Sequence, residues 1–270
     1  MRYSEMFQFI PNCFVCVISD CFYRESISGV DSRLKHAGMT NKIVRRKIFD
    51  FESYRFISIS VVLLFFTLAG FAQSPVSVVR IKYDGGGDWY GNRTTFVNLF
   101  KFMREQNNIP TTEREVTMSI SDKDFFKFPI AYIAGHGNIK FSDEEVSRLR
   151  AYLIKGGFLW ADDDYGMDKH FRREMKKVFP ELAWLEVPYS HPIYHINDQF
   201  PNGLPKVHKH AGGPPKGLGL FFEGRMVSFY SFNTDISDGC EDPGIHNDPP
   251  EIRREALKMG TNILIWALLQ

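Results

Sequence analysis

Apolar positions along this chain recur with two different periods, and their alternation predicts short strands separated by helices. The clearest stretch runs from Pro129 to Tyr165. PIAYIAGHGN is an apolar run ending in Gly135-His136-Gly137. KFSDEEVSRLRAYLIKGG carries Val146, Leu149, Tyr152 and Leu153 at helical spacing. FLWADDDYG is a second apolar run that breaks into Asp162, Asp163 and Asp164. Strand, helix, strand is a βαβ unit and implies a parallel sheet. Ligands of such sheets sit outside the carboxyl ends of the strands, so His136 and the three aspartates have the address of a site.

The same reading extends outward. VSVVRIKY is the first strand and ends in Asp84-Gly85-Gly86-Gly87-Asp88-Trp89-Tyr90, followed by a helix from Thr94 to Gln106 with Phe96, Leu99, Phe100 and Met103 on one face. Glu113 to Met118 is a strand, and Ser121 or Asp122 caps a short helix through Phe126. Met167 to Phe179 is amphipathic, with Phe171, Met175 and Val178 inward and its Arg and Lys residues on the solvated face; Pro180 stops it. Ala183 to Val187 is a further strand, and Ser190 to His195 a short helix or turn. Leu218–Phe222 and Met226–Phe232 flank Glu223-Gly224-Arg225 as a hairpin. Ile252 to Leu269 closes the chain as a helix. Gly203–Gly217 and Asn233–Pro250 are long polar loops, the kind that is functional or disordered.

Residues 1–72 break this pattern. Met39 is followed by basic Lys42, Arg45, Arg46 and Lys47, then by FISISVVLLFFTLAGFA up to Ala72. That order is a secretory signal, with Gly70 and Ala72 at −3 and −1 for cleavage before Gln73; an uncleaved membrane anchor is the alternative. Either way the expectation is export to the periplasm or envelope, with membrane contact only through an uncleaved leader. Met39 reads as the start and residues 1–38 as an over-extended gene start. Cys13, Cys16 and Cys21 lack a second Cys/His pair at finger spacing, so zinc is not expected there. One domain spans 73–270.

Composition narrows the function. The body carries 24 basic against 26 acidic residues and the leader nine against six, so neither has the basic face of a nucleic-acid binder. Cys240 is the only body cysteine, which excludes a disulfide there, and it lacks the glycine-flanked elbow that exposes a nucleophile. No G-x-S-x-G occurs, and the three glycines after the first strand form neither G-x-G-x-x-G nor a phosphate loop. Asp162-Asp163-Asp164 remains the sharpest signal. At most two of these carboxylates share a side of an extended chain. They can hold a divalent metal, for which Asp162 and Asp163 are the candidates, act as a general base, or cap the next helix. His136 between glycines suits an acid/base group, a ligand or a plain turn. Loop acids Asp238, Glu241, Asp242 and Asp248 near His246 offer a second set of oxygens or a solvated loop. His191, His195, His208 and His210 lie in the later loops.

FPIAYIAGHGNIKFSDEEV, LRAYLIKGGFLWADDDYGMDKHFRREMKKVFPE, SHPIYH, LPKVHKH and SDGCEDPGIHNDPPEIRREALKMGTNIL together resemble the bacterial family catalogued as domain of unknown function 4159, over about Val78 to Leu268. The resemblance implies a fold like class I glutamine amidotransferases: a flavodoxin-like three-layer α/β/α sandwich with a mostly parallel sheet. In those enzymes the strand after a Gly-Gly pair leads to a catalytic cysteine. Here Gly156-Gly157 leads through Trp160 to Ala161, Asp162 and Asp163, so the nucleophile is missing and the amidotransferase-like site is degenerate. The expected function is therefore a ligand-binding or accessory module for a small polar or carbohydrate-like ligand, with Gly86, Asp88, Trp89, Tyr90, Asp164 and Tyr165 as lining residues. The alternative is a hydrolase, metal-assisted or using Asp162, Asp163, His136 and His191 as acid and base.

Overall fold

The computed structural model describes residues 74–208 and 212–270. The expected leader, the start at Met39, the first three cysteines and His210 lie outside the described residues. Gln73–Gln270 is one compact unit. Its elements are β1 (Val78–Ile81), α1 (Thr95–Asn107), β2 (Val116–Met118), a 3-10 turn (Phe125–Lys127), β3 (Ile130–Ile133), α2 (Asp143–Ile154), β4 (Phe158–Asp162) and α3 (Asp168–Val178). There follow β5 (Leu185–Glu186), a second 3-10 turn (Pro192–Tyr194), β6 (Lys216–Phe222), β7 (Arg225–Phe232), α4 (Ile236–Gly239), α5 (Pro243–His246) and α6 (Pro250–Leu269). No helix among the described residues is long and apolar enough to cross a membrane.

The strands form one seven-stranded sheet in the order β2-β1-β3-β4-β7-β6-β5. The first five are parallel, and β6 and β5 extend the sheet by antiparallel pairing. With β7 in fifth place, the parallel part follows the doubly wound 2-1-3-4-5 order, whose switch point lies between β1 and β3. Helices cover both faces. Phe96 and Leu99 of α1 and Met259 and Ile263 of α6 share one apolar cluster with Tyr132 and Trp160. Leu149 and Leu153 of α2 and Phe171 and Met175 of α3 share the other with Ile133 and Leu159. A three-layer α/β arrangement results, as the family resemblance implies; the alternation of periods implied the parallel sheet.

Local chemistry sets the element ends. Ser142 and Glu145 form a capping box at the start of α2, satisfying two orphan N–H groups reciprocally. The β6–β7 hairpin turns on Glu223 and Gly224, both at positive φ (49° and 84°), the geometry a two-residue connection needs to match strand twist. A bulge interrupts β7: Ser228 pairs with Leu220 but Met226 with Phe221, leaving Val227 as the extra residue. The basic residues of α3 are not all solvated. Arg173 and Lys177 pair with Glu174, whose side chain is fully buried, and Arg173 also bonds Asn138 and the Ile139 carbonyl, tying the helix to the loop after β3.

Candidate functional site

The carboxyl ends of β1, β3, β4 and β7 present the candidate residues. At the end of β4 the strand alternation splits the aspartate run: Asp162 and Asp164 turn toward α4, and Asp163 to the other side. Asp162 is fully buried. One of its oxygens accepts from the Ser231 hydroxyl, the other from the Ser237 N–H (2.6 Å) and hydroxyl (2.7 Å). Burial raises its pKa to about 7, against the opposing pull of these donors. Trp160 Nε1 donates to the same Ser231 oxygen at 2.9 Å. Asp162 is thus a bolt joining β4, β7 and α4, with three donors already on its carboxylate. Asp163 accepts from the Asn233 N–H at 2.9 Å, and burial raises it to about 6. Asp164, pushed well up by burial and then by Asp238, is the member of the run that faces the cluster below.

The segment after β7, polar enough in sequence to suggest a solvated loop, folds into α4 and α5 and turns its acids inward. Asp235, Asp238 and Glu241 are all buried. His208, from the loop before β6, enters this group. Its Nδ1 lies 3.2 Å from Asp238 Oδ2 and 3.6 Å from Asp235 Oδ2, and its Nε2 lies 3.0 Å from Asp248 Oδ1. His246 Nε2 lies 2.9 Å from Glu241 Oε2 and 3.8 Å from Asp238 Oδ2. The two imidazoles are 5.0 Å apart. Asp235 and then Asp238 raise His208 to about 10, overriding burial, so a metal-free site holds an imidazolium at neutral pH. One donor atom each from His208, Asp238 and His246 lies within 4.8 Å of the others, a set that could hold a metal ion.

Asn92 joins the two groups. Its side-chain amide reaches Asp238 Oδ1 (2.6 Å), Ser237 Oγ (2.9 Å) and Asp164 Oδ1 (3.4 Å). Its backbone is left-handed (φ 52°), a region asparagine tolerates. Buried Arg80 fixes this loop by donating to the carbonyls of Gly91 (3.1 Å) and Asn92 (2.9 Å), while pairing with Glu115 at 2.9 Å and lying 5.0 Å from the Tyr132 ring centre.

At the β1/β3 switch point the glycine loop meets the histidine loop. Gly87 N–H donates to the Asn138 carbonyl (3.0 Å) and Asp88 N–H to that of His136 (3.1 Å). A Cβ on Gly87 would come within 2.7 Å of the His136 carbonyl, and one on Gly135 within 2.5 Å of Tyr83 Oη. The glycines therefore serve the approach of two protein loops. Asp88 accepts from the His136 N–H, and its other oxygen lies 3.1 Å from His136 Nδ1. Both side chains are substantially exposed.

Other sequence candidates fall elsewhere or line the rim. His191 caps the second 3-10 turn, accepting from Ile193 N–H at 3.2 Å, and packs on Trp266 with ring centres 4.7 Å apart. Trp266 lies 13 residues along α6 from Arg253, which bonds the Glu241 carbonyl. At 1.5 Å rise per residue that is about 20 Å away. His191 is therefore not brought to the aspartates. Tyr90 and Tyr165 are exposed on the loops after β1 and β4, and Trp89 is half-buried with Lys82 over its ring. A Cβ added at Gly86 would meet nothing within 4 Å. Cys240 is fully buried, and burial pushes its thiol well up, which suits core packing and not nucleophilic attack. Sequence reasoning missed Asn92, Ser231, Ser237 and Asp235 and left His208 among the ordinary loop histidines. The one available signal was the density of acids and histidines in 233–248 and in LPKVHKH, loops otherwise without an apolar period.

No curated protein matches the chain. A profile of the family described as a domain of unknown function (DUF4159) matches residues 77–268, well over half of the chain, and the protein belongs to that family.

Proposed function

We propose that this is an exported, envelope-associated binding module whose ligand is small, polar and hydroxyl-rich, of a carbohydrate-like kind. The observation that carries the reading is the convergence of Asp164, Asp235, Asp238, Glu241 and Asp248 with His208 and His246 at the carboxyl edge of the sheet. Carboxylates accept hydrogen bonds from ligand hydroxyls, and exposed Tyr90 and Tyr165 offer flat apolar faces on neighbouring loops. Export rests on the basic-then-apolar order from Lys42 to Ala72.

The test is thermal-shift and calorimetric titration of the full chain against a panel of mono- and oligosaccharides. At least one should raise the melting temperature, and Tyr165→Ala should weaken it several-fold. A flat response across neutral, amino and acidic sugars would discard the reading. Intact mass of the exported fraction should begin at Gln73.

A second reading, an acid–base hydrolase, draws on one specific observation. Asp88 holds His136 through Nδ1, which leaves Nε2 to act on a substrate. Under that reading the sugar panel yields cleavage products by mass spectrometry, and His136→Gln abolishes them while leaving binding in place.

A further inference from the structure

We infer that His208, Asp238 and His246 form a binding site for one divalent cation of the zinc, cobalt or manganese kind, with Asp248 as the group that orients His208. This goes beyond the carbohydrate reading and does not depend on it.

The spacing carries the inference. A tetrahedral ion with ligand bonds of about 2.0–2.1 Å has donor–donor edges of about 3.4 Å. His208 Nδ1 and His246 Nε2 lie 3.2 and 3.8 Å from the same oxygen, Asp238 Oδ2, on either side of that value. Small side-chain shifts would make the edges equal. Glu241 Oε2 lies 2.9 Å from His246 Nε2 but outside this set of mutually close donors, so the three residues are the protein ligands of the site.

The surroundings match what metal-bound histidines need. A ligating imidazole ordinarily gives its other N–H to a carboxylate, which sets the tautomer and the ring plane. His208 offers Nδ1 to the cluster and Nε2 to Asp248 at 3.0 Å, so a third carboxylate holds the ring from behind. Glu241 is held by Thr94, with Oε1 3.3 Å from the Thr94 N–H and 3.4 Å from its hydroxyl, and its Oε2 lies against His246. Asp238 is held through Oδ1 by Asn92 at 2.6 Å, which leaves Oδ2 facing both imidazoles. The acidic ligand thus spends one oxygen on the scaffold and presents the other.

The donor types select the metal. Two imidazole nitrogens with a carboxylate suit zinc, cobalt, manganese or ferrous iron, whereas magnesium and calcium prefer all-oxygen sets. The aspartate run after β4 is a poorer host, since Asp162 is saturated by three donors and Asp163 faces the other way.

The test uses the full chain, freed of metal by chelation and titrated with Mn²⁺ and Co²⁺ alone. Mn²⁺ is included because Cys13, Cys16 and Cys21 are present in the full chain, and thiolates compete poorly for it. One equivalent should bind, and Co²⁺ should give the strong visible bands of a nitrogen- and oxygen-ligated ion. Asp238→Asn and His246→Ala should each weaken binding at least tenfold. Asp163→Asn should leave it unchanged, and Mg²⁺ should bind at least a hundredfold more weakly. His246 is only partly buried, so its variant keeps the test usable where Asp238→Asn unfolds; circular dichroism checks both. Absence of binding by Mn²⁺ and Co²⁺, or binding unchanged in a folded His246→Ala chain, overturns the inference. Sugar binding without metal binding would sink this site and leave the proposed function; metal binding without any sugar response would do the reverse.

Discussion

Two acidic regions lie side by side at the carboxyl edge of the sheet, and they do opposite work. The run Asp162–Asp164 after β4 is the most conspicuous charge cluster in the sequence, yet its first carboxylate is consumed by the scaffold and its second is turned to the other side with one oxygen bonded. Ser231 and Ser237 saturate Asp162, and the Asn233 N–H takes Asp163. The segment after β7 reads as a diffuse polar loop, yet its buried acids divide their oxygens between the scaffold and two imidazoles. Density of charge along a chain is therefore a poor guide to which carboxylates remain available. What decides is the number of donors that folding delivers to each.

Three experiments break or sharpen this contrast. The largest effect is expected at Asp162. Asp162→Ala leaves the Ser237 N–H and hydroxyl buried without their acceptor, while the Ser231 hydroxyl keeps the Ala161 carbonyl; at about 1–3 kcal/mol for each orphaned donor, a total loss of about 2 kcal/mol or more is expected. Urea denaturation checks it; a change below about 1 kcal/mol would mean that Asp162 is not a structural bolt.

The second concerns pH in the metal-free chain. His208 is raised from 6.5 to about 10 in the folded state, so its contribution to stability is complete below 6.5 and is lost as pH rises toward 10. Asp162 and Asp163, raised from 3.8 to about 7 and about 6, act in the same direction at lower pH: the stability they contribute is present below 3.8 and lost as pH rises through 6 to 7. The stability difference between wild type and His208→Gln should therefore shrink steadily from pH 7 to pH 10. A difference that is flat across that window would remove the imidazolium from the cluster.

The smallest effect is expected at Asp164. Burial and then Asp238 push the Asp164 carboxyl well above the usual carboxylate range, which favours the neutral form that Asp164→Asn mimics in charge and shape. Its melting temperature at pH 7 should match wild type, to within about 0.5 kcal/mol in stability. A clear gain in stability would show that Asp164 is ionised there and repelled by its neighbours.

Much of the fold was legible before any coordinates. The period of 3.6 located α1, α3 and α6 to within two residues of their ends and α2 inside the stretch Lys140–Gly157, and the glycine-bearing turn located the β6–β7 hairpin. The family resemblance was legible too, because its motifs are contiguous stretches. Less legible was the 233–250 segment, where short helices Ile236–Gly239 and Pro243–His246 are too brief to show a period. His136 and Asp88 were both named from sequence, but their pairing depends on the two loops being zipped together at the switch point.

By itself the sequence determined which of the longer segments become strands and helices, and that the body forms an α/β structure, because periodicity, caps and turn residues act between neighbours a few positions apart. Only the tertiary structure decided the strand order, which places β7 beside β4 and so sets Ser231 against Asp162. It also decided the site. Asn92 meets Asp238 across 146 positions and His208 meets Asp248 across 40. No local pattern encodes contacts at such separations. They arise when burial of the two apolar faces brings the ends of separate strands to one edge, and only there do the remaining polar groups find their partners.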